Sequence, residues 1–182
     1  KLLNMTRDRM MSNEDYREFG VKCNIPIKTA SYSEEDGIFN SDNELLIQRR
    51  SLGKYHTPGI WSNTACSHPR NKESTILCAN RRLFEEMGIK TKIFPIFSFI
   101  YKAEFQNNLI EHELDHVFIG FSDKKPKPNF KEVCSWNYVD ETSLIKLLND
   151  CPESFSPWFR ICYERVFQKA YAQKNKKLIS LS

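Results

Sequence analysis

Two short stretches hold the residues best suited to chemistry. Trp61, Ser62, Asn63, Thr64, Ala65, Cys66, Ser67, His68 and Pro69 are consecutive, and Glu111, His112 and Glu113 follow later in the chain. In an extended chain alternate side chains share a face, so Cys66 goes with His68 and Glu111 with Glu113. A thiol, an imidazole and two carboxylates that converge on one pocket can hold a divalent metal and can also move protons.

The elements that must position these groups are legible from periodicity. Residues 73–87 are predicted as a helix, with Ile76, Ala79, Leu83 and Met87 in one stripe and Gly88 as a left-handed stop. Glu85 and Glu86 lie four residues after Arg81 and Arg82, so ion pairs are expected along its exposed face. Residues 37–39 and 44–48 flank the polar run 40–43, which predicts a β-hairpin. Residues 94–105, 114–121 and 133–139 read as strands, and Pro95 points to an edge or an irregular start. Residues 31–36 and 124–129 read as loops. A short helix over 141–148 follows the cap Asp140. A longer helix begins at Ser156-Pro157, with Phe159, Cys162, Val166 and Ala170 as its stripe and a frayed Lys-rich end after Gln173. A polar helix over 8–19 has thin support.

The chain has 182 residues, is 40% hydrophobic and 27% charged, and has a net charge of +4. These values suit one globular α+β domain and are too modest for a nucleic-acid binder. A cationic pocket for a small anion fits the charge equally well. There is no membrane-length apolar run. The six cysteines form no CxxC pair, and no signal peptide is read, so they are expected to be reduced thiols of a cytoplasmic protein.

The helix also carries Glu73, Arg81, Arg82, Leu83, Glu85, Glu86, Gly88 and Ile89 at spacings that resemble the Nudix box, a loop–helix–loop that holds Mg²⁺ against a diphosphate. Ser67 stands where that box begins with Gly, and Arg82 stands at its central Glu. That exchange removes a ligand used in hydrolysis and adds a cation for phosphate oxygens. From the helix alone, an amphipathic helix with i,i+4 ion pairs fits as well.

The ordered motifs 45–50, 58–69, 101–103, 111–113 and 155–158 together resemble the type I isopentenyl diphosphate isomerases. The resemblance covers about residues 37–166. It implies a single-domain Nudix-type mixed β-sheet flanked by helices over 36–173, with an N-terminal extension over 1–35 and a basic tail over 174–182. It implies a 1,3-proton shift that converts isopentenyl to dimethylallyl diphosphate, with Cys66 and Glu113 as proton-transfer residues on opposite faces of the substrate. Tyr101 would assist Glu113, and Trp158 would stabilise a carbocation and exclude water.

By the same resemblance, His68, Glu111 and Glu113 hold a transition metal, Mn²⁺ or Zn²⁺, and Glu86 holds Mg²⁺. Arg50, Lys54 and Arg82 face the diphosphate. A monomer acting on a small diphosphate, with no nucleic acid and no membrane insertion, is expected. The family places two further histidine ligands before the hairpin, whereas the first histidine here is His56 and the nearer position falls at Ser31. Two other functions stay open on this basis: a Nudix hydrolase of a nucleoside diphosphate derivative, and a non-catalytic diphosphate binder. His112 and His116 are read as packing or surface residues, His56 as a loop residue near the entrance, and the remaining cysteines as packing residues.

Overall fold

A computed structural model describes residues 30–105 and 110–179; the helix expected over 8–19 lies outside the described residues. Among the described residues, seven strands form one mixed sheet: β1 (Ala30–Phe39), β2 (Leu45–Arg50), β3 (Trp61–Ser62), β4 (Ala65–Ser67), β5 (Ile93–Glu104), β6 (Ile110–Phe121) and β7 (Val133–Val139). The order along the sheet is β3-β2-β1-β6-β5, with β4 also pairing β1 and β7 also pairing β2. The β1–β6 pair is parallel and the others are antiparallel.

Successive residues of the central strands face opposite sides, and each side builds its own core. Ile38, Leu46 and Phe118 pack with Ala79, Leu83 and Met87 of helix α1 (Thr75–Met87). Phe39, Leu45, Ile47, Val117 and Ile119 pack instead with Leu144 and Leu148 of α2 (Glu141–Asp150) and with Phe159, Cys162, Val166 and Phe167 of α3 (Pro157–Ile179). Burying each large apolar side chain contributes about 1.5–3 kcal/mol, so both faces of the sheet hold their helices firmly.

Local signals set most boundaries. The hairpin turns through Asn43 in the left-handed region (φ 65°) and pairs Ile38 with Leu46. Gly88 ends α1 at φ 67°, where an added Cβ would meet the Lys127 carbonyl oxygen at 2.8 Å. Asp140 caps α2 by accepting from the Ser143 amide at 2.9 Å. Pro95 lies on outer strand β5, beside a register shift between Pro95 and Phe97.

Three expectations need correction. Residues 31–36, read as a loop, lie inside β1. Parallel pairing with β6 from Ala30↔His112 to Phe39↔Phe121 imposes the strand on a polar sequence. The last helix continues to Ile179 rather than fraying after Gln173. Glu86 is buried, 2% exposed, instead of lying on the exposed face of α1. Gln48 of β2 donates to its Oε2 at 2.6 Å, so this edge of the helix is turned into the sheet.

Candidate active site

The face of the sheet that packs against α3 carries the first group of predicted residues. Antiparallel pairing sets Tyr101 opposite Glu113, and the two-residue period brings Glu111 to the same side. The Tyr101 hydroxyl lies 2.7 Å from Glu111 Oε2 and 3.2 Å from Glu113 Oε2, linking the two carboxylates. His68, just past β4, places Nε2 2.8 Å from Glu113 Oε1. That hydrogen bond raises the imidazole pKa, while burial raises that of Glu111 against the Tyr101 contact. Ser31 pairs in register with Glu113, so a serine occupies the position where the resemblance expects a histidine.

Cys66 lies in β4 opposite Glu35 of β1 and packs at the edge of the core that contains Tyr101 and Trp158. Burial, reinforced by the nearby Glu35, pushes its thiol well above the ordinary range, so it keeps its proton at neutral pH. The roof is Trp158, at the start of α3. Its Nε1 donates to Ser62 Oγ at 3.0 Å and lies 3.2 Å from Asn63 Oδ1. Ser62 Oγ also meets Ser156 Oγ at 2.9 Å, and the Ser156 amide donates to the Trp61 carbonyl. The polar residues between Trp61 and Cys66 therefore lock Trp158 over the pocket. Sequence reasoning identified both motifs and missed that one holds the other.

Arg50 turns toward this roof. Gln48, two residues earlier, faces α1, but the β2–β7 register shifts between Arg49 and Arg50. This bulge re-aims Arg50. Its guanidinium carbon sits 5.4 Å from the Trp158 ring centre, and its nitrogens donate to the carbonyls of Thr57 and His56 at 3.2 and 3.3 Å. Lys54 and Arg82 form a separate group. Lys54 pairs with Glu132, and Arg82 reaches Glu132 at 3.2 Å, Glu86 at 2.5 Å and Glu85 at 3.0 Å. Burial raises the Glu86 pKa and the Arg82 charge opposes that shift. The structure thus brings Lys54, Arg82 and Glu86 together and sets Arg50 apart from them. Glu132, the hub of this group, carried no sequence signal because it follows a proline-containing loop far from either partner.

His56 was also missed as a site residue. It stands in the 51–60 loop with Nε2 3.2 Å from Glu111 Oε1 and its side chain only 9% exposed. Burial and the Arg50 charge push its pKa down to about 4. His116 behaves as expected, with Nδ1 held by Ser98 Oγ at 2.8 Å. The described cysteines are all unpaired. Among the described residues, no helix is long and apolar enough to cross a membrane.

A mixed sheet with a helix carrying the degenerate box on one face, and a thiol–imidazole–carboxylate pocket on the other, defines a protein of the NUDIX fold. The NUDIX domain profile matches residues 37–159. Among solved structures, the MutT protein of Methanosarcina mazei superposes with a TM-score of 0.62 at 24% identity, over 80% of this chain and 98% of that one. The NUDIX domain of Shewanella oneidensis NrtR, complexed with ADP ribose, gives 0.58 at 13% identity, over 90% and 99%. Among curated relatives, isopentenyl-diphosphate Delta-isomerase 2 of Aromatoleum aromaticum is 46% identical over 71% of this chain and 68% of its own length. The isopentenyl-diphosphate Delta-isomerase of Pectobacterium atrosepticum is 43% identical over 71% and 72%. The chain belongs to the isopentenyl-diphosphate Delta-isomerase family within the NUDIX fold.

Dependence on a divalent metal goes with this family. Among the described residues, no three His, Cys, Asp or Glu side chains form a gathered metal cluster. The donors stand instead as two imidazole–carboxylate pairs joined through Tyr101. Two donors each about 2.1 Å from one ion and at right angles are about 3 Å apart, close to the spacing within each pair. Mixed nitrogen and carboxylate donors are also the chemistry that a divalent transition ion takes. In donor type, though not in a gathered arrangement of three, the residues suit such an ion.

Proposed function

We propose that the protein converts isopentenyl diphosphate to dimethylallyl diphosphate, a step of isoprenoid biosynthesis, with Cys66 and Glu113 as the proton-transfer pair. Supporting this is a partly buried thiol packed against the cluster that holds Tyr101 and Trp158, with the buried Glu113 bonded to that same Tyr101, in a chain 46% identical to a curated isomerase. One proton is added at the terminal alkene carbon, charge develops at the tertiary carbon, and one proton leaves the neighbouring methylene. The double bond moves and the atoms balance without an oxidant or a water. Tyr101 orients the Glu113 carboxylate through its hydroxyl. Trp158, 2% exposed, presents a π surface to the developing cation and keeps out water that would quench it.

The finer assignments belong to the same proposal. His68, Glu111 and Glu113 would hold Mn²⁺ or Zn²⁺, and Glu86 would hold Mg²⁺ beside the diphosphate. Bound divalent ions supply positive charge that offsets the carboxylates and the diphosphate and acidifies groups bonded to them. Lys54 and Arg82 lie next to Glu86, where diphosphate oxygens can replace Glu132 and Glu85 as their partners. Arg50 acts from the opposite side by fixing the loop and the roof. The proposed site draws every residue from one chain, so a monomer is expected to be sufficient for activity. The unpaired thiols support a cytoplasmic location.

Proton NMR of isopentenyl diphosphate incubated with the protein, Mg²⁺ and Mn²⁺ in D₂O tests the reading. The expected result is dimethylallyl diphosphate carrying deuterium. No product with metal bound would refute it, and phosphate release from nucleoside diphosphate derivatives would establish a hydrolase instead. Within the isomerase reading, Arg82→Gln is expected to raise KM about 10- to 100-fold, because a charge-assisted contact is worth about 1.5–3 kcal/mol. Steady-state kinetics with an unchanged KM would remove Arg82 from the diphosphate site.

A further inference from the structure

We propose that Glu35 is a positioning residue for Cys66: its neutral carboxyl group donates a hydrogen bond to the sulfur and steadies the negative charge that proton transfer leaves there. The proposal rests on the isomerase reading for the role of Cys66, and on the fold for the contact. Strand β4 is laid on β1 in three pairs, Glu34↔Ser67, Glu35↔Cys66 and Asp36↔Ala65, so Cys66 is the middle residue and stands directly opposite Glu35. Side chains of such a pair share one face of the sheet, with Cβ atoms about 4.5–5.5 Å apart. The thiol and the carboxyl group are therefore neighbours by register.

Glu35 is 1% exposed and lies beside Val117 of β6, on the side of the sheet that packs against α3. Neither of its carboxyl oxygens is hydrogen-bonded to a nitrogen or oxygen of the described residues, and the Cys66 thiol is the polar group that bears on it. An acid in that position adds nothing to the core, so its presence calls for an explanation in function. Burial keeps its proton on, and the nearby Asp115, itself fully buried, reinforces this. A carboxylate there would oppose charge on sulfur, whereas a neutral acid has an O–H to give. As Cys66 passes its proton to the alkene carbon, the S–H electron pair stays on sulfur and the Glu35 O–H binds it. Glu35 keeps its own proton throughout.

The test compares wild type with Glu35→Met, Glu35→Gln and the control Glu34→Gln, all loaded with Mg²⁺ and Mn²⁺. Met fills the space without a polar hydrogen, Gln keeps an N–H, and Glu34 lies on the opposite face of β1. Glu35→Met is expected to lower kcat about 10- to 100-fold, the effect of one hydrogen bond to a charged group, with KM nearly unchanged and Tm no lower than wild type. Glu35→Gln is expected to recover most of that loss, and Glu34→Gln to turn over like wild type. A merely structural Glu35 predicts instead a Met variant that is better folded and fully active. Wild-type kcat in a folded Glu35→Met would overturn the proposal and leave the isomerase reading standing. An equal loss in Glu35→Gln would overturn it as well.

Infrared difference spectra test the contact without turnover. Wild type minus Glu35→Gln should isolate the carbonyl band of a protonated carboxyl group, and Cys66→Ala should shift that band. A carboxylate band in its place, or a band unmoved by Cys66→Ala, would overturn the proposal even if Glu35→Met does not fold. A wild type that makes no product while the band still responds to Cys66→Ala would sustain the contact and defeat the isomerase reading.

Discussion

Cys66→Ala is expected to lower isomerase turnover by about 10²- to 10⁴-fold while the folded chain keeps its metal and its diphosphate affinity. The size of the effect follows from the proton balance. In the proposed reaction a thiol held protonated by burial is one of the two groups that exchange a proton with carbon, and alanine offers none. The fold should tolerate the change. Around Cys66, β4 is anchored by other groups: the Thr64 hydroxyl donates to the Leu46 carbonyl at 2.6 Å, and the Ile38 amide donates to Thr64 Oγ1 at 2.9 Å. Removing one small, partly buried side chain costs about 1 kcal/mol.

Glu113→Gln should match that loss in turnover and differ in metal binding. The amide can still receive the Tyr101 hydroxyl, but His68 loses its anionic partner, so the raised imidazole pKa should return toward 6.5. Single-turnover kinetics and a metal titration on both variants separate the roles. Turnover within a few fold of wild type in either variant would remove that residue from the proton-transfer pair.

The second large effect concerns stability. Between pH 6.5 and about 8 the folded chain is expected to become progressively less stable as pH rises. Glu34, Glu35 and Asp36 are consecutive in β1 and each is 2% exposed or less. Burial raises the pKa of Glu34 from 4.5 to about 8, and those of Glu35 and Asp36 well above their ordinary values. Across this range the folded chain holds protons that the unfolded chain has released, so raising the pH favours unfolding. For Glu34 alone the full effect is up to ~5 kcal/mol.

Glu73 works in the opposite direction at lower pH. Its ion pair with Arg81 holds its pKa at about 2, so the stability it contributes is lost as pH falls below 4.5. His56 and His116, whose pKa values burial lowers to about 4, also remove stability as pH falls from 6.5 toward 4, so the effect of the buried acids stands alone only above pH 6.5. Glu34→Gln should raise Tm by several degrees at pH 8 and by little at pH 5. Calorimetry at these pH values and at pH 6.5 checks this, and a wild-type Tm that rises from pH 6.5 to pH 8 would defeat it.

These acids also show where a local reading of the chain stops. A run of three carboxylates has the composition of a loop, and local preference alone predicts one over residues 31–36. The strand exists because β6 supplies a parallel partner and β4 an antiparallel one, at Glu34↔Ser67, Glu35↔Cys66 and Asp36↔Ala65. Long-range pairing overrides local preference in strands more readily than in helices, since a strand's hydrogen bonds all come from elsewhere.

Features that depend on neighbours a few residues apart are legible in the chain alone. The hairpin at 40–43, α1 with its Gly88 stop, the Asp140 cap and the strand 133–139 are all of this kind. So is the shared face of Glu111 and Glu113, which follows from the two-residue period once β6 is extended. Motif order also carried the family and the proposed roles of Cys66, His68, Glu113 and Trp158, because a resemblance needs no coordinates.

Which groups meet across the chain depends on the folded arrangement. His56 reaches Glu111 through a loop whose path is set by Arg50. Arg50 points toward Trp158 because a register shift turns it. Glu132 joins Lys54 to Arg82 from the far side of the helix box. Glu86 is buried because β2 offers it Gln48. Each of these contacts joins segments far apart in the sequence or depends on how a loop is folded, and neither periodicity nor spacing within one segment encodes such a meeting.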